Sequence, residues 1–373
     1  MNTVAFLVQN HLPYSEPYIY SQMVNQSRYQ VVVATKQVLN REIYPCERIW
    51  SEEELSGVQR YLSRINYALT GNYPALVEFL QVNQVRLLHA HFGFWGVELT
   101  GLARYLNLPL LTSFYGVDIS ALPRIWTYRR KLKRLWERGA GFLVLSNQMK
   151  QVAIDLGAAA DKVHVLRIGV DLNRFKSPGQ KVFSERVRFL VCSRLVEKKG
   201  ICYAVEAFAR LSQRYPEIEL KIVGDGPQKP AILKKITELG LQERVSLIPL
   251  MGQHEVIKYL EQSDILLYPS VTADNGDQEG TPVTIMEAMA FGLPVISSYH
   301  AAINEVVLDG VSGYLVAERD VMGLAEKMEL LINHPQVWAE MGEQGRAYIE
   351  LNYSAVKQAE QLAEIYDQVL KDQ

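Results

Sequence analysis

The sequence is poor in cysteine: its 373 residues contain only Cys46, Cys192 and Cys202. Three scattered thiols do not make a disulfide framework, and no Cys-x-x-Cys pair or cysteine–histidine cluster indicates a zinc site. This usage fits a reducing compartment, so we expect a cytoplasmic protein. Charge of one sign is also missing. A formal net charge of -2 excludes a globally basic nucleic-acid-binding protein, and we expect no nucleic-acid partner.

Long apolar runs are absent as well. No stretch approaches the roughly 18 apolar residues that a membrane-spanning helix requires. The opening residues have no basic region and too short an apolar run for a signal peptide, and they predict a buried first strand instead. With 48% hydrophobic and 21% charged residues, the composition is that of an ordinary α/β protein. At this length we expect two domains, each with its own core.

Short apolar runs alternate with longer helical patterns, which favours parallel sheets covered by helices. The polar segment 171–186 has no periodicity and is interpreted as a linker. We therefore predict an α/β chain of two doubly wound domains, residues 1–175 and 187–350, with ligands at the carboxyl ends of the strands. The predicted strands cover 4–8, 29–34, 85–90, 109–113, 141–146 and 163–166, then 187–192, 219–223, 244–248, 265–268 and 294–298.

The most informative segment begins at Glu279 and predicts a loop, a helix, a tight turn and a buried strand. Pro282 suits the first helical turn, where its missing N–H costs nothing. The remaining N–H groups of that turn have no partner within the helix and form a ready anion site. These groups belong to Gly280, Thr281 and Val283.

Two carboxylates flank this anion site. Glu279 lies just before it, and Glu287 lies roughly two helical turns along. A ligand with a central phosphate and a polyol at each end would use all of these groups, and a nucleotide-sugar is such a ligand. The alternative is an ordinary strand–helix–strand unit with two solvated acids.

Further candidates follow other predicted strands of the second half. Arg194 and Lys199 share one turn, where a planar guanidinium and a mobile ammonium can hold the oxygens of a diphosphate. Plain surface charge is the alternative interpretation of these two residues. Gly224 lies in a glycine turn after the next strand, and Met251 lies in a loop at the end of the third.

Together these motifs resemble the family-4 group of retaining GT-B glycosyltransferases, most strongly over residues 187–316. The E-x7-E spacing and the Arg-x4-Lys-Gly turn carry the resemblance, although Ser193 and Asn304 stand where the family usually has Gly and Pro. The resemblance implies two Rossmann-like domains facing each other across a cleft. It also implies an acceptor-binding first domain, a donor-binding second domain, and a final helix, 354–370, packing back on the first.

The resemblance also implies roles for the candidates. Glu279 would contact the donor sugar and Glu287 the ribose, while Arg194 and Lys199 would hold the diphosphate. The glycine turn with Gly224 would lie beside the nucleotide, and the loop with Met251 near the base. The donor would be a UDP- or GDP-sugar, with no cofactor.

Candidates for the acceptor side come from the loop after the first strand, which resembles the P-x-x-S-E-T loop of exopolysaccharide-type members, with Pro17 in place of Thr. They are His11, Ser15 and Glu16. His91 ends another predicted strand and is a catalytic candidate, although a strand-end histidine is as often a structural hydrogen bonder.

The segment 112–118 matches the family's F-H-G-x-D stretch, but Tyr115 stands where the family often has His. If that His supports the reacting sugar, then either Tyr115 supplies a hydroxyl in its place or His91 takes the role. Asp118 is a candidate contact for the acceptor hydroxyl.

No Asp-x-Asp pair follows a predicted strand, whereas glycosyltransferases of the other common fold use such a pair to hold a metal. Arg194, Lys199 and a helix N-terminus can neutralise the leaving group instead. We therefore expect a metal-independent enzyme that transfers a sugar to a glycan or glycolipid acceptor in polysaccharide or envelope assembly. The alternatives are a non-catalytic nucleotide-sugar sensor or partner subunit and, less favoured, a nucleotide-sugar epimerase.

Residues 124–138 form the one strong charge run of the chain. On a helical wheel, Ile125, Leu132 and Trp136 share one face. The opposite face carries Arg130, Arg134 and Arg138. This pattern predicts either a helix that lies on the anionic inner face of a membrane or a packed helix with a solvated basic face.

Overall fold

The computed structural model describes residues 1–11, 13, 16–70, 73–175, 186–249 and 253–371. The chain divides into two compact units: unit 1 comprises Met1–Gly169 and Ala355–Gln373, and unit 2 comprises Val170–Ser354. Most of the predicted linker 171–186 lies outside the described residues.

The described part of unit 1 contains a seven-stranded parallel sheet with the order β3-β2-β1-β4-β5-β6-β7. Its strands are β1 (Asn2–His11), β2 (Tyr29–Val38), β3 (Ile49–Ser51), β4 (Val85–His91), β5 (Leu110–Ser113), β6 (Gly141–Val144) and β7 (Val163–Val165). The strand order reverses between β1 and β4. Strands covered on both faces are apolar throughout, as in β1, where Val4–Val8 are at most 2% exposed.

Helices link these strands. They are α1 (Pro17–Val24), α2 (Gly57–Thr70), α3 (Pro74–Val82), α4 (Gly93–Leu106), α5 (Val117–Ser120), α6 (Trp126–Arg138) and α7 (Asn147–Asp155). Local sequence explains several starts: proline opens α1 and α3, and the Ser146 hydroxyl caps α7 by accepting from the Met149 N–H at 3.1 Å.

Unit 2 has a six-stranded parallel sheet among its described residues, ordered β10-β9-β8-β11-β12-β13. Its strands are β8 (Arg188–Cys192), β9 (Glu219–Val223), β10 (Val245–Ile248), β11 (Ile265–Tyr268), β12 (Val295–Ser298) and β13 (Gly313–Val316). Here the order reverses between β8 and β11. The helices are α8 (Ile201–Ser212), α9 (Lys229–Glu238), α10 (Gln253–Glu261), α11 (Val283–Phe291), α12 (Val321–Asn333) and α13 (Val337–Asn352).

The terminal helix α14 (Ala355–Lys371) belongs to unit 1. The Gln361 amide donates to the Val165 carbonyl at 3.1 Å, and Tyr366 and His89 share a 2.7 Å hydrogen bond. Leu362 and Tyr366 are fully buried, so this stripe of the helix packs on the sheet. Val356 is 55% exposed and does not take part.

The doubly wound arrangement predicted from the sequence is confirmed, and the differences concern short elements. A 3-10 turn, Glu52–Glu54, precedes α2. The strands β3 and β13 are not among the predicted strands. Both are short, with three and four residues respectively.

Gly200 and Gly240 both have left-handed backbone conformations, with φ of 61° and 66°. A Cβ at Gly200 would lie 1.9 Å from the Pro269 carbonyl oxygen, whereas a Cβ at Gly240 would meet nothing within 4 Å. A side chain at either position would therefore be strained by the left-handed backbone. Only at Gly200 would it also collide with the Pro269 carbonyl group, which follows β11.

We predict that Gly240→Ala lowers the free energy of unfolding by roughly 1–2 kcal/mol, the usual penalty of this backbone conformation. Gly200→Ala should lose about 1–3 kcal/mol more, because the added methyl overlaps a carbonyl group. Urea denaturation followed by circular dichroism measures both variants. Equal losses would contradict the close packing of the turn at Gly200.

Candidate active site

Several candidate residues meet at the carboxyl edge of the unit 2 sheet, where the strand order reverses between β8 and β11. Lys199 ends the 3-10 turn that follows β8, and Tyr268 is the last residue of β11. Glu279 lies in the loop between β11 and α11. Doubly wound sheets bind their ligands at this edge and at this reversal.

A buried ion pair joins Lys199 to Glu279. The Lys199 Nζ lies 2.8 Å from the Glu279 Oε1, and the two side chains are 10% and 5% exposed. The same carboxylate oxygen accepts from the Ser270 hydroxyl at 3.2 Å. Lys199 also donates to the Tyr268 hydroxyl, and its Nζ lies 4.7 Å from the centroid of that ring. Removal of either charge would leave the other buried without its partner, which is strongly destabilising.

The charges of this cluster follow from its surroundings. Burial alone would raise the pKa of the Glu279 carboxyl, but the neighbouring charges of Lys199 and Lys198 outweigh burial and lower that pKa. Burial raises the pKa of the Tyr268 hydroxyl well above its usual value, and the Glu279 charge adds to the rise. At neutral pH the cluster therefore contains a carboxylate and a protonated phenol.

The helix α11 begins four residues after Glu279. Pro282 has extended backbone angles and is the N-cap of α11. The sequence predicted Pro282 within the first helical turn, so the helix begins one residue later than predicted. This cap makes no side-chain hydrogen bond to the helix. Of the three residues predicted to supply N–H groups in the first turn, only Val283 belongs to the helix, and it is partly exposed. Gly280 and Thr281 precede the cap, so their assignment to the first turn is wrong, and both are buried in the loop. The first N–H groups of α11 lack intrahelical partners and are suited to an anion.

Glu287 lies in the second turn of α11 and is only 5% exposed. Burial, and after it the Glu287 charge, raises the pKa of the Cys192 thiol to about 12. Cys192 is the last residue of β8. The two predicted acids, Glu279 and Glu287, therefore both lie near the β8–β11 reversal.

Arg194 is exposed in the turn after β8. This turn packs against the glycine turn after β9, since the Leu195 N–H donates to the Asp225 carbonyl at 2.8 Å. A Cβ on Gly224 would lie 1.9 Å from the Ser193 carbonyl oxygen, so the close packing of these turns requires glycine there. Burial raises the pKa of the Tyr268 hydroxyl, and the Arg194 charge opposes that rise. Arg194 is therefore close enough to the cluster of Lys199, Tyr268 and Glu279 to affect its electrostatics.

In unit 1, the predicted residues His91 and Tyr115 form a pair. The His91 Nδ1 lies 2.7 Å from the Tyr115 hydroxyl oxygen, while the His91 Nε2 has no hydrogen-bond partner among the described residues. His91 is fully buried and stacks on His89, with ring centroids 4.2 Å apart. Burial, and then the neighbouring His89, lowers the His91 pKa well below its usual value. His91 is thus neutral, and Tyr115, at 9% exposure, is the more accessible partner.

Asp118 is fully buried, and its carboxylate accepts from backbone N–H groups. One oxygen accepts from Tyr115 at 3.0 Å and Gly116 at 2.9 Å, and the other accepts from Gly93 at 2.8 Å. Burial raises the Asp118 pKa, although these hydrogen bonds oppose the rise. The geometry favours a role in fixing the backbone of Tyr115 over direct contact with an acceptor.

The acceptor-side candidates are placed differently from one another. His11 is 1% exposed, and its Nε2 lies 3.4 Å from the Tyr44 carbonyl oxygen. Burial lowers its pKa. Burial raises the pKa of the Tyr115 hydroxyl and the charge of Glu16 adds to the rise, so Glu16 lies near the His91–Tyr115 pair. Ser15 and Met251 lie outside the described residues.

The basic helix α6 buries two of the three residues predicted on its apolar face, and the prediction is wrong for Ile125, which is the exposed N-cap of the helix. Leu132 and Trp136 are 1% and 4% exposed, and the Trp136 ring lies 4.5 Å from that of Phe142 in β6. Arg130, Arg134 and Arg138 are exposed. At the start of the helix, Ile125 and Trp126 are 52% and 70% exposed. The exposed surface of α6 is therefore basic with an apolar tip.

Sequence analysis missed several residues of the unit 2 cluster. Lys198 donates to the Asp277 carboxylate at 3.0 Å and the Gln278 carbonyl at 2.9 Å, and so holds the loop before Glu279. His300 contacts the Glu279 backbone. The doubled lysine and the His after β12 were the only sequence signals. Within the described residues, no group of three or more His, Cys, Asp or Glu side chains is arranged to hold a metal. No described helix is both long and apolar enough to span a bilayer.

Comparison with known proteins gives two family matches: "Glycosyl transferases group 1" over residues 173–348 and "Glycosyltransferase Family 4" over residues 24–174. The amylovoran biosynthesis glycosyltransferase AmsK of Erwinia amylovora is 33% identical over 281 residues, which cover 75% of this chain and 69% of AmsK. The chain belongs to the family-4 glycosyltransferases.

A second relative is similar over a shorter stretch, and two solved structures share the fold over nearly the whole chain. The putative colanic acid biosynthesis glycosyltransferase WcaL of Escherichia coli is 34% identical over 241 residues, 64% of this chain and 59% of that protein. The crystal structure of Anabaena HepE with UDP and glucose superposes with a TM-score of 0.79 at 20% identity, covering 99% of this glycosyltransferase and all of HepE. The sucrose-phosphate synthase of Thermosynechococcus elongatus gives a TM-score of 0.77 at 17% identity, covering all of both chains. These likenesses confirm the predicted GT-B fold class.

The buried pair of this glycosyltransferase predicts a specific pattern of stability. Lys199→Met should lower the free energy of unfolding by roughly 3–5 kcal/mol at pH 7, because Glu279 loses its partner. Adding Glu279→Gln to that variant should restore part of the loss, since the unpaired charge is removed.

The same pair predicts a pH dependence. The pKa of Glu279 is lower in the folded protein than the usual value of 4.5, which applies to the unfolded chain. The pair therefore stabilises the fold fully above pH 4.5, and this stabilisation is lost as the pH falls through the folded-state pKa. Urea denaturation at pH 7 and below pH 4.5 measures this. The pairing would be contradicted if the double variant lost the sum of the unfolding free energies lost by the two single variants. It would also be contradicted if the unfolding free energy lost by Lys199→Met were as large in acid as at pH 7.

Proposed function

We propose that the protein transfers a sugar from a UDP- or GDP-sugar to a hydroxyl of a glycan or glycolipid, with retention of anomeric configuration and without a metal. The observation that carries the proposal is the cluster at the β8–β11 reversal. There, a basic turn and a bare helix N-terminus lie next to two buried carboxylates, Glu279 and Glu287. These groups support the proposal because a nucleotide-sugar offers hydroxyls for the carboxylates and a diphosphate for the basic turn and the helix N-terminus.

The diphosphate would bind at the turn after β8. Arg194 is the exposed cation of this turn, and the first N–H groups of α11 add a partial positive charge. Lys199 would be shared between the diphosphate and Glu279, because it already forms an ion pair with Glu279 in the structure. Charge-assisted contacts are worth about 1.5–3 kcal/mol each. Several of them stabilise the leaving phosphate without a metal ion.

In the proposed reaction the bond between the anomeric carbon and the phosphate oxygen breaks. The acceptor oxygen bonds to that carbon on the same face, and the departing phosphate oxygen takes the acceptor proton. This route needs no side-chain nucleophile. Glu279 would hold the sugar hydroxyls, while Gly224 and Met251 would lie along the nucleotide.

On the acceptor side, Tyr115 is the better candidate for contact. Its hydroxyl is held by His91, whose neutral ring is fully buried, and its backbone is held by Asp118. Burial raises the pKa of the same hydroxyl, and the charge of Glu16 adds to the rise. The names of AmsK and WcaL support an exopolysaccharide setting. The HepE complexes contain UDP or UDP-glucose, whereas a mycobacterial relative at 31% identity is GDP-mannose-dependent, so both bases stay in the proposal.

Transfer chemistry is tested by product analysis with UDP-glucose and GDP-mannose in excess EDTA. We predict that one donor is hydrolysed or transferred under these conditions, and that NMR shows an α-linked product from the α-linked donor. Glu279→Gln should lower the rate about ten- to a hundredfold through the lost sugar contact. Glu343→Gln, an exposed acid on α13, is the matched control.

Four outcomes would contradict the proposed reaction. Activity that vanishes in EDTA and returns with magnesium or manganese would exclude the metal-independent route, and a β-linked product would exclude retention. Binding without turnover would favour a sensor, and an isomerised donor would favour an epimerase.

We also propose that unit 1 contacts an anionic membrane surface through the tip of α6. Leu132 and Trp136 are buried and cannot reach a membrane. Ile125 and Trp126 are the exposed apolar residues that could contact lipid, next to the exposed arginines of the helix. A tryptophan beside basic side chains is typical of interfacial contacts. A lipid-linked acceptor would be reached in this way.

For the membrane contact we predict that the protein sediments with phosphatidylglycerol vesicles at low salt, and less at high salt because of screening. Each basic residue near the surface is worth about 1 kcal/mol, so the triple change Arg130→Glu, Arg134→Glu and Arg138→Glu should abolish sedimentation. Trp126→Ser should weaken it, whereas Tyr105→Ser, which removes another exposed aromatic of unit 1, should not. A wild-type protein that ignores these vesicles would identify α6 as a packed helix only.

A further inference from the structure

Glu279 is held through its backbone as well as through its carboxylate. Its N–H donates to the Nε2 of His300 at 3.1 Å. His300 follows β12, and its side chain is fully buried. Two elements therefore converge on one residue: the turn after β8 holds the carboxylate, and the turn after β12 holds the peptide group.

The other ring nitrogen of His300 fixes the orientation of the imidazole. Its Nδ1 lies 2.6 Å from the Glu318 Oε1. Because Nε2 accepts from a backbone N–H, the proton must be on Nδ1, which donates it to the carboxylate. The ring is thus neutral, with a defined tautomer and no freedom to flip without losing both bonds.

Glu318 is anchored in turn by the loop that leads to Glu279. Its Oε2 accepts from the Thr272 N–H at 2.8 Å, and its Oε1 accepts from the Thr272 hydroxyl at 3.2 Å. Burial alone would raise the Glu318 pKa, but these hydrogen bonds and the one from His300 lower it. The carboxylate is therefore charged and is a strong acceptor for the imidazole N–H.

We propose that His300 is a positioning residue that sets the Glu279 peptide so that the Glu279 carboxylate meets the donor sugar in the reactive geometry. This inference rests on the proposed function, since it assigns Glu279 to the sugar. Small displacements of a group that holds a reacting sugar lower the rate of transfer more than they lower the affinity for the nucleotide. The effect of His300 should therefore fall on kcat and spare the binding of UDP or GDP.

Two near-isosteric variants separate the bonds of the imidazole. The carbonyl of glutamine in His300→Gln reaches approximately where Nε2 lies and can still accept from the Glu279 N–H. The amide of asparagine in His300→Asn reaches approximately where Nδ1 lies, so it can donate to Glu318 but leaves the Glu279 N–H without its acceptor. Tyr299→Phe, which removes a hydroxyl bonded to Asp309 at 2.8 Å, is the neighbouring control.

The experiment measures kcat and donor KM with whichever of UDP-glucose and GDP-mannose the wild type consumes, and the affinity for the corresponding nucleoside diphosphate. We expect His300→Asn to lower kcat about ten- to a hundredfold with diphosphate affinity within about threefold of the wild type. His300→Gln should recover most of this loss, and Tyr299→Phe should lose little. Thermal melts of each variant identify folded protein.

Wild-type kcat in His300→Asn would overturn the inference. Equal losses of activity and of diphosphate affinity in both His300 variants would also overturn it, because they indicate a structural role only. Glu279→Gln serves as the reference. If that variant is fully active, or if the wild type consumes no UDP- or GDP-sugar, then the proposed function fails and the inference with it. If Glu279→Gln is impaired while His300→Asn is not, only the inference fails.

Discussion

The buried ion pair of Lys199 and Glu279 is the constraint on which the rest of the site depends. Two charges can remain in a nearly dry position only because each is the other's partner and because Ser270 and Tyr268 supply further hydrogen bonds. The pair connects the turns after β8 and β11 across the strand-order reversal. The pair also occupies Lys199, so under the proposed function a diphosphate would draw Lys199 away from Glu279 or share it.

In the proposed reaction, sharing of this kind would link leaving-group stabilisation to the sugar site. A diphosphate that attracts Lys199 would weaken its hold on the Glu279 carboxylate and leave that carboxylate available to sugar hydroxyls. The hydrogen bond from the Glu279 N–H to His300 would keep Glu279 in place during that exchange. Unit 1 contains a similar arrangement: the buried Asp118 accepts a hydrogen bond from the Tyr115 backbone N–H, and the buried His91 is hydrogen-bonded to the Tyr115 hydroxyl. In both units the buried polar groups orient one residue at the carboxyl edge of a sheet.

The fold class was predictable from the sequence because buried parallel strands produce apolar runs that alternate with helical periodicity. The short strands β3 and β13 were not, since their few residues give too little pattern. Strand-end position indicated Arg194 and Lys199 in unit 2 and His91 in unit 1, because parallel topology brings the carboxyl ends of the strands to one edge of each sheet. Glu279 was indicated by its place just before a predicted helix. Neither signal identified partners such as Ser270, Tyr268 and His300. Their roles depend on side-chain directions between strands that are distant in sequence, which no local pattern encodes.

The most direct test of the account is the affinity of Glu279→Gln for a nucleoside diphosphate that lacks a sugar, measured by calorimetry with UDP and GDP. If Lys199 is shared between Glu279 and the diphosphate, this variant should bind as tightly as the wild type or more tightly, because the competing carboxylate is gone. Arg194→Ala should bind about ten- to a hundredfold more weakly. A Glu279→Gln variant that loses diphosphate affinity as Arg194→Ala does would contradict the account.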